Sequence, residues 1–364
     1  ASTLSVIEGT AASANTIYDT KSGGDGFTGL GDEAITLTDT TVTAAALIDL
    51  YTNGTSGVID ATTVHTITGT AGNANTIYAQ TSTFTGLGAE NITISGETNN
   101  SLAASVLNTL NGNTTGNINA DTVTTLTGAI SDLNTAYAAS ASTGDGISNL
   151  GNEAITLSDG SVTDVAALNT LNGNTTGNID ADTVSSFTGS ISALNTMFAA
   201  KAASGDGISF SSSSGAADQA VEITDATVLA VDLNTLNSNT TGQVDASTLS
   251  VIEGTAAEAN TLYDGKDSGT GFTGIGDEAI TLTDTTVTAT ALIDLYSSDG
   301  TSGIIDATTV HTITGTAGNA NTIYSQTSTF TGLGTENITI SGETNNSLAA
   351  SVLNTLNGNT TGNI

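Results

Sequence analysis

The residues best suited to chemistry are aspartates in glycine-rich loops that recur along the chain. Asp25, Asp32 and Asp145, with the backbone carbonyl oxygens beside them, form an oxygen-rich ligand set, and oxygen is the ligand atom that Ca²⁺ prefers. They are therefore calcium candidates. The loops read GGDGFTGLGDE at 23–33, TGDGISNLGNE at 143–153 and GTGFTGIGDE at 269–278.

A purely structural interpretation of these loops stays open. Glycine permits unusual backbone angles and aspartate hydrogen-bonds within turns, so both residue types are common in loops that bind nothing. The spacing also differs from the alternating aspartates of an EF-hand, and Thr270 replaces the first aspartate in the third loop.

The rest of the sequence offers little for catalysis. His65 and His311 occupy equivalent positions in two copies of a repeat, each is flanked by threonine, and the chain has no cysteine. A surface or packing role fits such histidines better than general base catalysis. No G-x-S-x-G, Walker or H-E-x-x-H motif is present. We therefore predict no enzymatic activity and no catalytic or cofactor-binding residues.

The net charge excludes several classes of partner. The chain carries 36 acidic residues and a formal charge of −33, and its only basic residues are Lys21, Lys201 and Lys266. Such a chain repels the phosphate backbone of nucleic acids and the surfaces of anionic membranes. The chain contains no run of 18 apolar residues, so we predict no membrane insertion for this segment.

A long internal repeat organises the sequence. Residues 91–118 are identical to 337–364, and residues 59–78 are identical to 305–324, which sets a period of 245–246 residues. We predict that 1–364 is one continuous repetitive domain, with 1–245 as a first long repeat and 246–364 as part of a second. The chain is expected to be an internal slice of a longer polypeptide.

A shorter period of roughly 60 residues divides into two coils, and the first is predicted to carry a helix. Asp180 or Asp182 would cap that helix. Gly189 inside the pattern costs about 1 kcal/mol relative to Ala and leaves open a break into two short helices. The apolar positions are Val184, Phe187, Ile191, Leu194 and Phe198, with spacings of 3, 4, 3 and 4.

The second coil is predicted to begin with a strand and continue into a helix. In EAITLSD at 153–159, apolar residues alternate with small or polar ones, as in a strand with one buried face. The next helix would carry Leu168 and Leu171 on one face, with Asp159 or Ser161 as its cap. TTGNID, at 175–180, then supplies a turn and a shorter strand. Related strands are predicted within 33–39, 90–95, 221–225, 278–284 and 336–341.

These elements predict an α/β repeat solenoid. Short strands and one-sided helices bury their apolar faces only when successive coils stack. Parallel strands joined by helical crossovers would form a continuous parallel β-sheet ribbon, with the helices on the opposite side.

The phrases GLGDEAITLTDTTVTA, LNTLNGNTTGNIDADTV and LTGAISDLNTAYAAS resemble repeats of very large repetitive cell-surface proteins of marine unicellular cyanobacteria, a group that includes a giant surface protein needed for swimming. The resemblance covers essentially the whole chain. It implies an extracellular, cell-associated structural protein and transfers no catalytic residues.

Two functions follow as hypotheses. The first is a structural component of an extracellular or cell-surface filament or layer, whose main partner is the chain itself, either as its continuation or as further copies. The second is an adhesin-like module or stalk that recognises a glycan or protein. Adhesive surfaces concentrate aromatics and arginine, whereas Tyr18, Tyr78, Tyr137 and Tyr263 recur on presumed core faces, so the structural hypothesis is preferred.

Overall fold

The computed structural model describes residues 3–21, 26–140, 144–201, 205–210, 218–266, 271–297 and 300–364. They belong to two compact units. The first contains residues 1–159, 170–183 and 202–209, and the second contains 160–169, 184–201 and 210–364.

The described residues form short helices separated by groups of short strands. The helices are α1 Ala11–Asp19, α2 Ala44–Asp49, α3 Ala71–Tyr78, α4 Ala104–Asn113, α5 Ile130–Ala138, α6 Val165–Asn174, α7 Ile191–Ala199, α8 Ala230–Asn239, α9 Ala256–Asp264, α10 Ala289–Leu295, α11 Ala317–Tyr324 and α12 Ala350–Asn359. Helix α2 continues as a π-helical turn, Leu50–Gly54, and 3₁₀ turns lie at Thr98–Asn100 and Thr344–Asn346. No helix of the described residues is long and apolar enough to cross a membrane.

The strands of the first unit form three parallel sheets. In sheet order they are β1 Val6–Gly9, β2 Ala34–Leu37, β4 Ile59–Asp60 and β6 Phe84–Thr85; then β3 Thr41–Thr43, β5 Thr66–Gly69, β7 Asn91–Ile94, β9 Asn117–Asn119 and β11 Gly146–Ser148; then β8 Ser101–Ala103, β10 Thr125–Gly128, β12 Ala154–Leu157, β13 Asn178–Asp180 and β15 Gly207–Ser209.

The second unit also contains three parallel sheets. They are β14 Ser186–Gly189, β16 Ala220–Ile223, β18 Val244–Asp245 and β20 Phe272–Thr273; then β17 Thr227–Leu229, β19 Val251–Gly254, β21 Ala279–Leu282, β23 Ile305–Asp306 and β25 Phe330–Thr331; then β22 Thr286–Thr288, β24 Thr312–Gly315 and β26 Asn337–Ile340.

The described strands and helices form passes, where a pass is a group of one to three strands followed by one helix. Strands β6, β7 and β8 precede α4, and strands β9 and β10 precede α5. Most strands pair with a strand of the next pass, for example β7 with β9, β8 with β10, and β9 with β11. The number of strands differs between passes, so some strands have no partner in the next pass, and each sheet ends after three to five strands.

Aligned apolar side chains form the buried core beside the sheets. In the second sheet, the parallel register places Ile67, Ile92, Ile118 and Ile147 in one column, and each is at most 1% exposed. A one-residue slip would move this column to the opposite face, so burial fixes the register. Helix α4 packs against α3 and α5 and contributes the buried Leu107 and Leu110 to the core.

The strand predictions are confirmed, and the helix predicted from Val184 to Phe198 is wrong in its first half. Strand β12 covers Ala154–Leu157, within the predicted 153–159, and β13 is the shorter strand predicted after the second helix. The pattern from Val184 to Phe198 is a strand, β14, followed by helix α7. Its 3 and 4 spacing arises because the turn and strand before the helix also bury every third or fourth residue.

The predicted helix caps also differ from the observed ones. Ser190, instead of Asp180 or Asp182, accepts the capping hydrogen bond of α7 from Ala193 N–H. Asp164 accepts the corresponding bond of α6, whereas Asp159 caps α5 from the next pass along the chain. The strands of the described residues are also divided among six sheets, instead of forming the single ribbon that the sequence predicts.

Candidate functional site

Two of the three predicted calcium ligands lie in the described part of the chain. Asp32 and Asp145 are exposed and belong to loops of different repeats, and Asp25 lies outside the described residues. Within the described ranges, no group of three or more His, Asp or Glu side chains is arranged to hold a metal ion. Calcium binding by these loops stays a prediction.

Each histidine ring contacts a backbone oxygen two residues earlier in its own loop. The Nδ1 atom of His65 lies 2.6 Å from the carbonyl oxygen of Thr63, and His311 repeats this contact with Thr309 at 2.6 Å. Both rings are exposed.

A buried glutamate at the end of each of the three glycine-rich loops forms the most distinctive polar site. Glu153 is fully buried, and its Oε2 accepts hydrogen bonds from the Tyr137 hydroxyl at 2.9 Å and from Gly151 N–H at 2.9 Å. We call this arrangement the Tyr–Glu junction. It recurs as Tyr18–Glu33, Tyr78–Glu90, Tyr263–Glu278 and Tyr324–Glu336, with oxygen–oxygen distances of 2.9 to 3.2 Å.

A threonine from the following pass completes each junction. The Thr175 hydroxyl donates to the Glu153 backbone oxygen at 2.7 Å and accepts from Gly177 N–H at 3.0 Å. A Cβ atom on Gly177 would lie 2.1 Å from that backbone oxygen, so only glycine permits the approach. The equivalent threonines are Thr55, Thr114, Thr301 and Thr360.

Each junction joins three successive segments of the chain. Tyr137 lies in α5, Glu153 immediately precedes β12, and Thr175 follows α6. Gly151 takes a φ of +135°, which L side chains rarely adopt and which turns its N–H toward the carboxylate two residues later. The glycine of each G-x-E loop therefore donates a hydrogen bond to the glutamate side chain of the same loop.

Hydrogen bonds decide the charge state of the junction at Glu33. Burial alone would raise the pKa of Glu33, but donation from the backbone N–H groups of Gly31, Glu33 and Asp32 and from the Tyr18 hydroxyl outweighs it and lowers that pKa. Burial, reinforced by the negative charge of Glu33, raises the pKa of Tyr18 to about 12. At neutral pH the phenol is a neutral donor and the carboxylate an anionic acceptor. The pKa values of Tyr78, Tyr137, Tyr263 and Tyr324 are raised for the same reasons.

One repeat departs from this pattern at both polar positions. Phe198 replaces the tyrosine and Gln219 replaces the glutamate, and both are buried, at 4% and 5% exposure. The threonine is retained, since Thr240 accepts a hydrogen bond from Gly242 N–H at 2.9 Å. The Phe198 ring packs against Phe187 and Phe210, with centroids 6.4 Å and 5.8 Å apart.

Other carboxylates stabilise helices that belong to a different pass. Asp159 Oδ2 accepts a hydrogen bond from Ile130 N–H, the first N–H of α5, at 3.0 Å. A negative charge at a helix N-terminus satisfies a free donor and interacts favourably with the helix dipole. Asp39, Glu97, Asp225, Asp284 and Glu343 do the same for α1, α3, α7, α9 and α11. Part of the acidic composition therefore serves internal contacts.

A row of asparagines links consecutive helices. Asn108 of α4 donates through Nδ2 to the backbone oxygen of Asp132 in α5 at 2.9 Å. Asn15, Asn75, Asn169, Asn195, Asn234, Asn260 and Asn321 make the equivalent bond at 2.9 to 3.1 Å. The recurring Asn of the L-N-T and A-N-T triplets is thus a contact between passes.

The sequence contained a signal for the junctions that periodicity does not reveal. Each of the junction tyrosines is followed along the chain by a G-x-E triplet and then by a T-x-G triplet. The joint replacement of tyrosine by Phe198 and glutamate by Gln219 is the sharper signal, because one position loses its hydroxyl and the other, distant in sequence, loses its negative charge.

No protein-family model matches the chain, and a comparison with curated proteins finds no match.

Proposed function

We propose that the chain is a structural component of an extracellular or cell-surface filament or layer, built from solenoid coils in which each pass is one coil. The proposal includes residues 1–364 as one continuous array, with the helices on the side opposite the strands. It also includes association with further copies of the same chain.

One observation carries the proposal: the most elaborate polar sites of the chain bind its own successive segments. The Tyr–Glu junction recurs in five repeats and joins a helix, a strand and the end of the next helix. Burying a carboxylate costs several kcal/mol, and its hydrogen bonds, worth about 1.5–3 kcal/mol each for a charged group, offset that cost. Such sites suit a rod that must resist unravelling without disulfides.

The extracellular location is supported by composition and by the resemblance of the repeats. The chain has no cysteine, so its stability does not depend on the redox state of its surroundings. A formal charge of −33 favours solubility, and the resulting self-repulsion is best screened at high ionic strength. The repeats resemble those of large surface proteins from a marine setting.

Fibre diffraction from aligned native material tests this proposal. Among the described residues, helix α9 repeats helix α1, so one long repeat holds the eight helices from α1 to α8. If each pass advances by the spacing of one parallel strand pair, about 4.8 Å, the long repeat measures about 40 Å. An axial reflection at about 4.8 Å together with an axial repeat of about 40 Å supports the proposal. Globular particles joined by linkers, without that axial reflection, would overturn it.

A further inference from the structure

Two equivalent cavities lie beside junction tyrosines. The first has a volume of about 350 Å³ and is lined by Tyr78, Thr81, Phe84, Gly88 and Asn113, among others. The second has a volume of about 420 Å³ and is lined by the matching residues Tyr324, Thr327, Phe330, Gly334 and Asn359. Each cavity thus touches the tyrosine and the glycine that donate to a buried glutamate.

Two other Tyr–Glu junctions have a lysine at the corresponding position, and the third lysine, Lys201, lies three residues after Phe198 in the repeat that lacks the junction. Lys21 lies three residues after Tyr18, as Thr81 lies three residues after Tyr78. Its ammonium donates to the Gly54 backbone oxygen at 2.9 Å and lies 5.2 Å from the centre of the Tyr18 ring.

The second lysine repeats these contacts. Lys266 donates to the Gly300 backbone oxygen at 3.3 Å and lies 5.7 Å from the Tyr263 ring centre. Its Nζ would be 3.7 Å from a Cβ built on Gly276, the glycine of its G-x-E loop.

The lysine contacts correspond to the walls of the cavities. Gly54 directly precedes the junction threonine Thr55, as Asn113 precedes Thr114. An ammonium group in a lysine-bearing repeat therefore lies among the tyrosine, the loop glycine and the residue before the threonine. The same three positions line the cavities in the repeats that lack lysine.

Exposure of the tyrosines agrees with this correspondence. Tyr18 and Tyr263, which lie beside lysines, are each 3% exposed, whereas Tyr78 and Tyr324 are half-buried. In the Tyr137 repeat, Ser140 stands at the lysine position and forms a β-bridge with Ile147. Tyr137 is 7% exposed there.

The cavities suit a cation that has an apolar stem. Glu90 and Glu336, which accept hydrogen bonds from the Tyr78 and Tyr324 hydroxyls, are buried at 2% and 0% exposure, and a buried carboxylate favours positive charge nearby. A tyrosine face and a backbone carbonyl suit an ammonium group. Phe330 and Leu333 supply apolar wall for a carbon chain, as the methylene stem of lysine requires.

We propose that the cavities beside Tyr78 and Tyr324 bind primary alkylammonium groups, in the place that the ammonium groups of Lys21 and Lys266 take in their own repeats. The group is either a free amine or the lysine side chain of another polypeptide, since both present the same chemistry. The site is independent of the structural role proposed above.

Isothermal titration with n-butylammonium chloride tests the proposal, with potassium chloride at matched ionic strength as the reference. The wild-type chain is expected to bind two ions saturably, one for each cavity. The double variant Thr81→Lys/Thr327→Lys supplies its own ammonium groups and should weaken binding at least tenfold. The opposite variant, Lys21→Thr/Lys266→Thr, should raise the number of sites to four.

The outcomes separate specific binding from attraction to an acidic surface. Uptake that does not saturate, or that is unchanged in both double variants, would overturn the proposal, as would an equal response to potassium. A lysine-containing peptide and its acetyl-lysine form then identify the source of the group. If the lysine-containing peptide binds and its acetyl-lysine form does not, the group is a protein side chain. If n-butylammonium binds and neither peptide does, the group is a free amine.

Discussion

The Tyr137 and Phe198 repeats build the same backbone around different side-chain chemistry. In the first, a phenol and a backbone N–H donate to the fully buried carboxylate of Glu153. In the second, Phe198 and Gln219 occupy the two positions, and three phenylalanines pack together. Both keep the T-x-G triplet, and the Cβ of a residue replacing its glycine would lie 2.0 to 2.1 Å from the backbone oxygen of the Glu or Gln position.

We infer from this difference that the hydroxyl and the negative charge depend on each other. A buried carboxylate is tolerated when several donors satisfy it, and removing one donor leaves much of its desolvation cost uncompensated. A neutral amide avoids that cost where phenylalanine offers no donor. Both repeats keep the backbone contact of the T-x-G triplet, which we call the constant element. Only the Tyr137 repeat adds the hydrogen-bonded tyrosine and glutamate.

The largest expected effect tests the constant element. Gly177→Ala and Gly242→Ala would each place a Cβ within 2.1 Å of a backbone oxygen and should destabilise the chain by about 3 kcal/mol or more. Urea unfolding followed by circular dichroism measures both variants. If Gly177→Ala lost much stability and Gly242→Ala lost none, the two repeats would not share this contact.

The next effect separates the two repeats. Tyr137→Phe removes one donor from the buried Glu153 and should cost about 1.5–3 kcal/mol, the range for a hydrogen bond to a charged group. Phe198→Tyr, the reverse change, adds a hydroxyl opposite a neutral amide and should gain no comparable stability. A stabilisation by Phe198→Tyr equal to the loss in Tyr137→Phe would contradict the dependence on charge.

Strands were predictable from this sequence because their signal is local. Ile155 and Leu157 alternate with small or polar residues inside β12, and a period of two needs only four residues. The helix pattern from Val184 to Phe198 was misleading because burial in a turn and strand imitated helical spacing. Its N-cap was missed because Ser190 lies between Gly189 and the first helical residue, inside the apparent helix.

The junctions were not predictable from periodicity because their partners are distant in sequence. The hydroxyl of Tyr137 meets a carboxylate from beyond the end of its own helix, and a threonine of the next pass binds the same glutamate. Loops of variable length separate these groups, so no fixed spacing marks them. Asp32 and Asp145 attracted attention as exposed acids, whereas the buried Glu33 and Glu153 at the ends of the same loops carry the structural contacts.

A smaller effect concerns pH. The lowered pKa of Glu33 means that its contribution to stability is present above the unfolded value, about 4.3, and is lost as pH falls through the lower folded value. Tyr18 has its pKa raised to about 12, so its contribution is present below the unfolded value, about 10, and is lost as pH rises toward the folded one.

Melting temperatures across both pH ranges, for the wild type and for Tyr18→Phe/Glu33→Gln, measure this effect. The variant reproduces the Phe198 and Gln219 pair and should show a weaker dependence at both ends. Identical profiles would mean that the junction at Glu33 does not link stability to protonation.

A double-mutant cycle at Tyr137 and Glu153 tests most directly whether phenol and carboxylate act as one unit. Native-state hydrogen exchange of the β12 amides gives the local opening free energy for Tyr137→Phe, Glu153→Gln and the double variant. We expect the double variant to lose less stability than the sum of the single variants, with a coupling of about 1–2 kcal/mol. Additive losses, with a coupling within about 0.3 kcal/mol of zero, would contradict the account.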